Sequence, residues 1–418
     1  VIGKSHLSRS LQTDSLTVAN RFGAQCALEA AAMFADARGG TVVNSLGNIS
    51  MPVQKSAGIG FEQLCSLYLN DPTASRTTKS QHAYRSALSV LIELIGSRTV
   101  ASSIERAACR DVMMVLSRLP RGARKRWRDV SLREIASNAD KAGHVPMSAA
   151  NVNEYMNKLS TVLNWGIREE HCVANPAKGL RLPKVESAKN RRHAFGIEQL
   201  TAIFNAPLYR GCKNDERGYS VAGDQKPRRS RFWVPLLSLF CGLRLNEACQ
   251  LLLADIEKRN DVLCIVIDAD DEAKSLKTAA SRRVVPIHPE LLQIGFEQFW
   301  NEARTAGGVR LFSEIQQDCY GMHSGRFSRW FARFLETCGA SKPKTCFHSF
   351  RHCFRDALRN GRVDREVGMA LGGWTSSSNF ASVADSYGDG FDMRMLFDEI
   401  SKVQYPELDL SHLKKVGA

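Results

Sequence analysis

Residues 346–358 read CFHSFRHCFRDAL, and residues 371–387 close the same region as LGGWTSSSNFASVADSY. In the opening, His348 and Arg351 stand three residues apart, which on a helix sets an imidazole and a guanidinium on one face. That pair suits a phosphate. Cys346, His348, His352 and Cys353 match no zinc-ligand spacing, and Arg351 among them would repel a cation, so no metal is expected. His352 and Cys353 read as packing residues of the helix.

Working upstream, FWVPLLSLFCGLRLNEACQLLLADI reads as a buried helix, a turn at Cys241-Gly242, and a second helix with Arg244 near its start. Val262 to Ile267 (VLCIVI) has strand composition, and Arg283 to Ile287 reads as a returning strand stopped by Pro289. Lys277, in SLKTAASRRVVPI, falls near a turn between them. Ile197 to Phe204 starts a helical pattern, and Trp330, Phe331, Phe334 and Leu335 give a helical stripe. Met393, Leu396, Phe397, Ile400 and Val403 give another, which packs either on its own domain or on a neighbouring subunit.

Nearer the start, the stripe Phe61, Leu64, Cys65, Tyr68 predicts a helix ending at Asn70-Asp71-Pro72. Tyr84, Leu88, Leu91, Ile92 and Ile95 predict a second, stopped by Gly96, and Val152, Tyr155, Met156, Leu159 and Val162 a third behind the N-cap Ser148. Extended alternation is absent from 57 to 170, so this domain is expected to be all-helical. The basic run Arg121, Arg124, Lys125, Arg126, Arg128 lies between two of its helices, either as a solvated face or as a phosphate contact. Residues 175–193, with Lys178, Arg181, Lys184, Arg191 and Arg192, read as an extended linker, tracking a nucleic-acid backbone or merely solvated. The division expected is 1–56 of unclear role, a helical domain 57–175, a basic linker 176–194 and a second domain 195–418. The fold class expected is mainly α with a small β-sheet in that second domain.

A formal net charge of +14 favours a polyanionic partner, nucleic acid or an acidic membrane surface. The longest mostly apolar run, Phe232 to Cys241, is too short to span a bilayer and is broken by Pro235 and Ser238, so a membrane is the poorer reading. The twelve cysteines form no CxxC pair, and reduced thiols in a cytoplasm are expected. The chain begins at Val1 without a charged-then-apolar leader, so a secretory precursor is not expected.

Two arginines, a lysine, a histidine and a late tyrosine in this order resemble the active site of the tyrosine recombinases, the phage integrase family. The resemblance covers roughly residues 57–400 in domain order, and its specific motifs lie in the second domain. It implies a helical DNA-binding domain, an α+β catalytic domain, and site-specific recombination through a 3′-phosphotyrosyl intermediate. By that similarity Arg244 and Arg351 clamp the phosphate, and His348 is a hydrogen-bond donor or acid/base residue. Lys277 protonates the leaving 5′ hydroxyl and Tyr387 is the nucleophile. Glu247 matches the acidic position that follows the first arginine. Where the family places His or Trp closer to the nucleophile, this chain has Trp374 thirteen residues before Tyr387. Either Trp374 fills that position with a longer loop behind it, or Gly373 does. Trp374 is the preferred reading, because an indole N–H can donate to a phosphate oxygen. No cofactor is implied. The implied partners are double-stranded DNA and further copies in a tetrameric synapse, in the nucleoid. The rivals are a type IB topoisomerase and a DNA-binding regulator that keeps the fold without catalysis.

Overall fold

The computed structural model describes residues 58–74, 76–139, 143–183, 192–268, 281–374 and 391–414. Lys184, Arg191, Lys277 and Tyr387 lie outside the described residues. The first hydrophobic core is built from helices α1 (Phe61–Asn70), α2 (Thr78–Ile95), α3 (Arg106–Arg118), the short α4 (Ala123–Arg126), α5 (Leu132–Ala139) and α6 (Ala149–Arg168). The stripe that predicts α1 is the face that is buried: Phe61, Leu64, Cys65 and Tyr68 are all inside. Gly96 ends α2 in a positive-φ conformation, and the Ser148 hydroxyl accepts from Asn151 N to start α6. This core continues through Ala177 and Leu180. Arg106 donates to the carbonyls of Pro176 and Lys178, and Asn153 bonds the backbone of Leu182 in both directions. The first part of the stretch read as a linker is therefore packed chain rather than a free tether.

The second core takes α7 (Ile197–Phe204), α8 (Pro207–Arg210), α9 (Ser230–Phe240), α10 (Leu245–Cys249), α11 (Pro289–Ile294), α12 (Phe296–Thr305), α13 (Ser324–Thr337), α14 (Ser349–Asn360), α15 (Arg365–Gly372) and α16 (Met393–Ile400). Among the described residues one antiparallel sheet accompanies them, in the order β1 (Ile256–Arg259), β2 (Val262–Ile267), β3 (Arg283–Pro286). The fold is thus mainly helical with a small sheet, as the sequence predicts. Asn260 and Asp261, both at positive φ, make the two-residue turn between β1 and β2, as the right-handed twist of a hairpin requires. Ile267 pairs with Arg283, so residues 268–282, which include Lys277, connect β2 to β3. Met393, Leu396, Ile400 and Val403 are buried in this same core, so α16 packs on its own domain. Among the described residues no helix is long and apolar enough to cross a membrane.

Candidate active site

Helix α14 sits against α9, with Phe350, Cys353, Phe354, Ala357 and Leu358 buried along its inner face. Arg351 is carried inward with them, only 4% exposed. His348 is the N-cap, one turn before it, so the three-residue spacing does set both groups on one end of the helix. The turn between α9 and α10 passes under this end. Gly242 takes φ +64°, and a Cβ there would collide with the Phe354 ring, so glycine is required for two reasons. Its carbonyl accepts from Arg351 Nη1.

Arg244 is the N-cap of α10. Glu247 fixes it at both ends: the Arg244 backbone N–H donates to Oε2 at 2.9 Å, and Nη1 donates to Oε1 at 2.5 Å. Ser281 Oγ, 3.1 Å from the same Nη1, adds a third contact.

The two arginines meet at the end of α15. The last carbonyls of a helix lack intrahelical donors and carry its negative pole. Here three consecutive ones are each taken by a different guanidinium. Leu371 O accepts from Arg283 Nε at 3.0 Å, Gly372 O from Arg351 Nη2, and Gly373 O from Arg244 Nη2 at 3.0 Å. Gly373, at φ +56°, ends the helix, and Trp374 follows with its ring 4.7 Å below the Arg351 guanidinium. Arg355 flanks the same ring at 5.4 Å.

Arg283 is the member of this group that the sequence reading leaves aside, naming it only as the first residue of a returning strand. The alternation of β3 carried the signal. Residues 283, 285 and 287 share a face, and Val285 and Ile287 are fully buried. The Arg283 side chain accordingly points inward, 4% exposed, with Nη2 2.8 Å from Glu247 Oε2.

The electrostatics follow from burial and crowding of like charge. Burial first, then His352, Arg351, Arg192 and Arg244, push the His348 imidazole down to about 4, so it is neutral near pH 7. Burial, then Arg244 and Arg283, push the Arg351 guanidinium down to about 9. Burial acts to raise the Glu247 carboxyl, but Arg283 and Arg244 prevail and hold it down to about 2. One carboxylate thus stands among three guanidinium groups, a local excess of positive charge that suits a phosphate.

The structure brings together Arg244, Glu247, His348, Arg351 and Trp374 of the predicted set. Of the basic residues in the first domain and linker, Arg121, Lys125, Arg126, Arg128, Lys178, Arg181 and Arg192 are exposed. Arg124 departs from that group. It bonds Glu93 and the carbonyls of Trp127, Arg128 and Val130, so its charge is used in holding α4 to its surroundings. Arg192 lies near enough to contribute to the depressed pKa of His348, which brings the end of the linker beside the site. Among the described residues no group of three or more His, Cys, Asp or Glu side chains is arranged to hold a metal.

Residues 222–383 match the model of the phage integrase family, a range that contains Arg244, Lys277, His348, Arg351 and Trp374 and stops four residues before Tyr387. The fold resembles that of a lambda integrase tetramer bound to a Holliday junction, with a TM-score of 0.52 and 15% identity over 87% of this chain and 89% of that one. A lambda integrase dimer bound to a COC′ core site gives a TM-score of 0.51 and 16% identity, over 80% of this chain and 81% of that one. The Tn1549 transposon integrase in complex with transposon right end DNA gives 0.50 and 15%, over 81% and 98%. Among curated proteins, IntQ of Escherichia coli (strain K12), described as defective, is 22% identical over 199 residues, 48% of this chain and 41% of that protein. The match therefore spans about two fifths of that relative's length. Residues 222–383 are a domain of the phage integrase family, the family of the tyrosine recombinases.

Proposed function

We propose that this protein cuts and rejoins double-stranded DNA, exchanging strands at specific sites through a covalent link to Tyr387. The convergence of Arg244, Arg351 and His348 at one end of α14 and α15 carries this reading. The two guanidinium forks can hold the two non-bridging oxygens of a backbone phosphate by charge-assisted hydrogen bonds. Charge on those oxygens grows as a fifth oxygen approaches phosphorus, so the excess of guanidinium over carboxylate favours the transition state over the diester.

In the step itself, the Tyr387 phenol oxygen bonds to phosphorus and the bond from phosphorus to O5′ breaks. The electron pair departs with O5′, which takes a proton from Lys277. His348, neutral near pH 7, accepts the phenol proton and returns it when the step reverses. Trp374 packs under Arg351 and holds its plane. The phosphotyrosyl ester conserves the bond energy, so an incoming 5′ hydroxyl reverses the step with neither metal nor nucleotide. Exposed Arg121, Lys125, Arg126, Arg128, Lys178, Arg181 and Arg192, together with Lys184 and Arg191, bind DNA phosphates without reading sequence. Two strand exchanges require four active sites, so the working unit is a tetramer on DNA, associated with the nucleoid.

The target sequence need not be known for the test. A pool of randomised duplexes carrying one nick is incubated with protein, denatured, and covalently bound strands are recovered and sequenced. A common cleavage position on a recurring sequence supports the reading. Tight DNA binding with no covalent product would instead leave a DNA-binding regulator of the same fold. Relaxation of supercoils by monomer, without pairing of sites, would favour a type IB topoisomerase.

A further inference from the structure

We propose that Arg283 is a positioning residue for this phosphoryl transfer, locking the phosphate-clamping arginines against the end of α15; the inference rests on the reading above. Arg283 makes contacts on three sides. Nη2 donates to Glu247 Oε2 at 2.8 Å, Nε to Leu371 O at 3.0 Å, and Nη1 to Ser281 O at 3.0 Å. Those partners belong to three separate stretches of chain: α10, which Arg244 caps at its N-terminus; α15, which ends at Gly372; and the entry to β3.

Each contact bears on Arg244 or Arg351 through another group. Glu247 divides its two oxygens, Oε1 to the Arg244 side chain and Oε2 to both the Arg244 backbone and Arg283. Fixing Oε2 therefore fixes the carboxylate plane and, through Oε1, the direction of the Arg244 fork. At the other end, Leu371 O is the first of the three consecutive carbonyls, and holding it sets where Gly372 O meets Arg351 and where Gly373 O meets Arg244. The fit leaves little slack: a Cβ on Gly373 would stand 2.9 Å from Arg283 Nη1. Each of the three guanidinium nitrogens of Arg283 already has a protein acceptor, so it acts through the clamp rather than on the phosphate.

A lysine could keep the charge beside Glu247 but has no planar fork to bridge three stretches of chain. Arg283→Lys and Arg283→Met are compared with wild type on the DNA recovered by covalent capture, in single-turnover cleavage. A second substrate carries a neutral methylphosphonate at the scissile position. Misaligned guanidinium groups matter most when the phosphate is charged. The expected result is a loss of about 100-fold on the phosphodiester in Arg283→Lys, with DNA affinity kept, shrinking to within about 10-fold on the methylphosphonate. Equal losses on the two substrates, wild-type rates in Arg283→Lys, or failure of both variants to fold would each overturn the inference and leave Arg283 with a purely structural role. Absence of any adduct from wild-type protein would instead count against the strand-exchange reading itself, so the two failures are distinguishable.

Discussion

Glu247 grips Arg244 at both its backbone and its guanidinium, at 2.9 Å and 2.5 Å, while a second arginine, Arg283, shares Oε2 with the Arg244 backbone. Glu247 is only 4% exposed. Removing its charge leaves the buried Arg283 without an anion, and breaking a buried pair on one side costs about 3–5 kcal/mol. Glu247→Gln is expected to lower unfolding free energy by an amount near that range in urea denaturation, and to weaken cleavage as well. A variant as stable as wild type would show that the carboxylate is not needed to compensate Arg283.

Arg351 sends its two terminal nitrogens to Gly242 and Gly372 and lies over Trp374, so its plane is fixed before any phosphate arrives. A lysine cannot reproduce that geometry. Arg351→Lys is expected to slow single-turnover cleavage by about 100-fold to 1,000-fold, the usual cost of a lost transition-state donor. DNA binding, which draws on many other cations, should change far less; gel-shift titration beside the cleavage assay separates the two.

Gly242 is a tight backbone position next to the site. A side chain there meets the Phe354 ring and must also adopt a positive φ. Gly242→Ala is expected to cost about 2–4 kcal/mol of stability, since both overpacking and strain act at one position. Equilibrium denaturation measures it, and a change below the error of the method would mean that Phe354 swings aside freely.

Several histidines give the protein an acid limit. Burial first pushes His288 and His323 down to about 4, and His348 falls to the same value. Their folded-state values lie below the ordinary 6.5. The unfolded chain thus takes up protons that the folded one refuses, so stability is full above that value and falls as pH drops from 6.5 toward 4. His288 is the clearest case, with one ring nitrogen 2.9 Å from Val403 O and the other accepting from Glu290 N. Melting temperature should decline steadily from pH 7 to 5, and His288→Gln should flatten that slope. A flat profile in the wild type would contradict these assignments.

Periodicity made the elements legible. Phe61 to Tyr68, Ile197 to Phe204 and Trp330 to Leu335 each bury the face that their spacing marks, and VLCIVI is the central strand of the sheet. Spacing also set His348 and Arg351 at one helix end. What local pattern does not encode is which distant segments meet. That Leu371, Gly372 and Gly373 each offer a carbonyl to an arginine from a different element follows only once α10, β3, α14 and α15 are packed. Arg124 illustrates the same limit from the other side: within a dense basic run, only its contacts with Glu93 and nearby carbonyls set it apart from its exposed neighbours. The alternation Arg283, Val285, Ile287 was readable, and it was obscured because two adjacent arginines look alike until one strand face is known to be buried.

The most direct measurement is to trap wild-type protein on the captured nicked duplex, digest it, and locate the nucleotide-bearing peptide by mass spectrometry. The expected result is a 3′-phosphotyrosyl ester on Tyr387 that Tyr387→Phe fails to form while still binding the DNA. An adduct on another residue, or one that persists in Tyr387→Phe, would contradict the proposed chemistry.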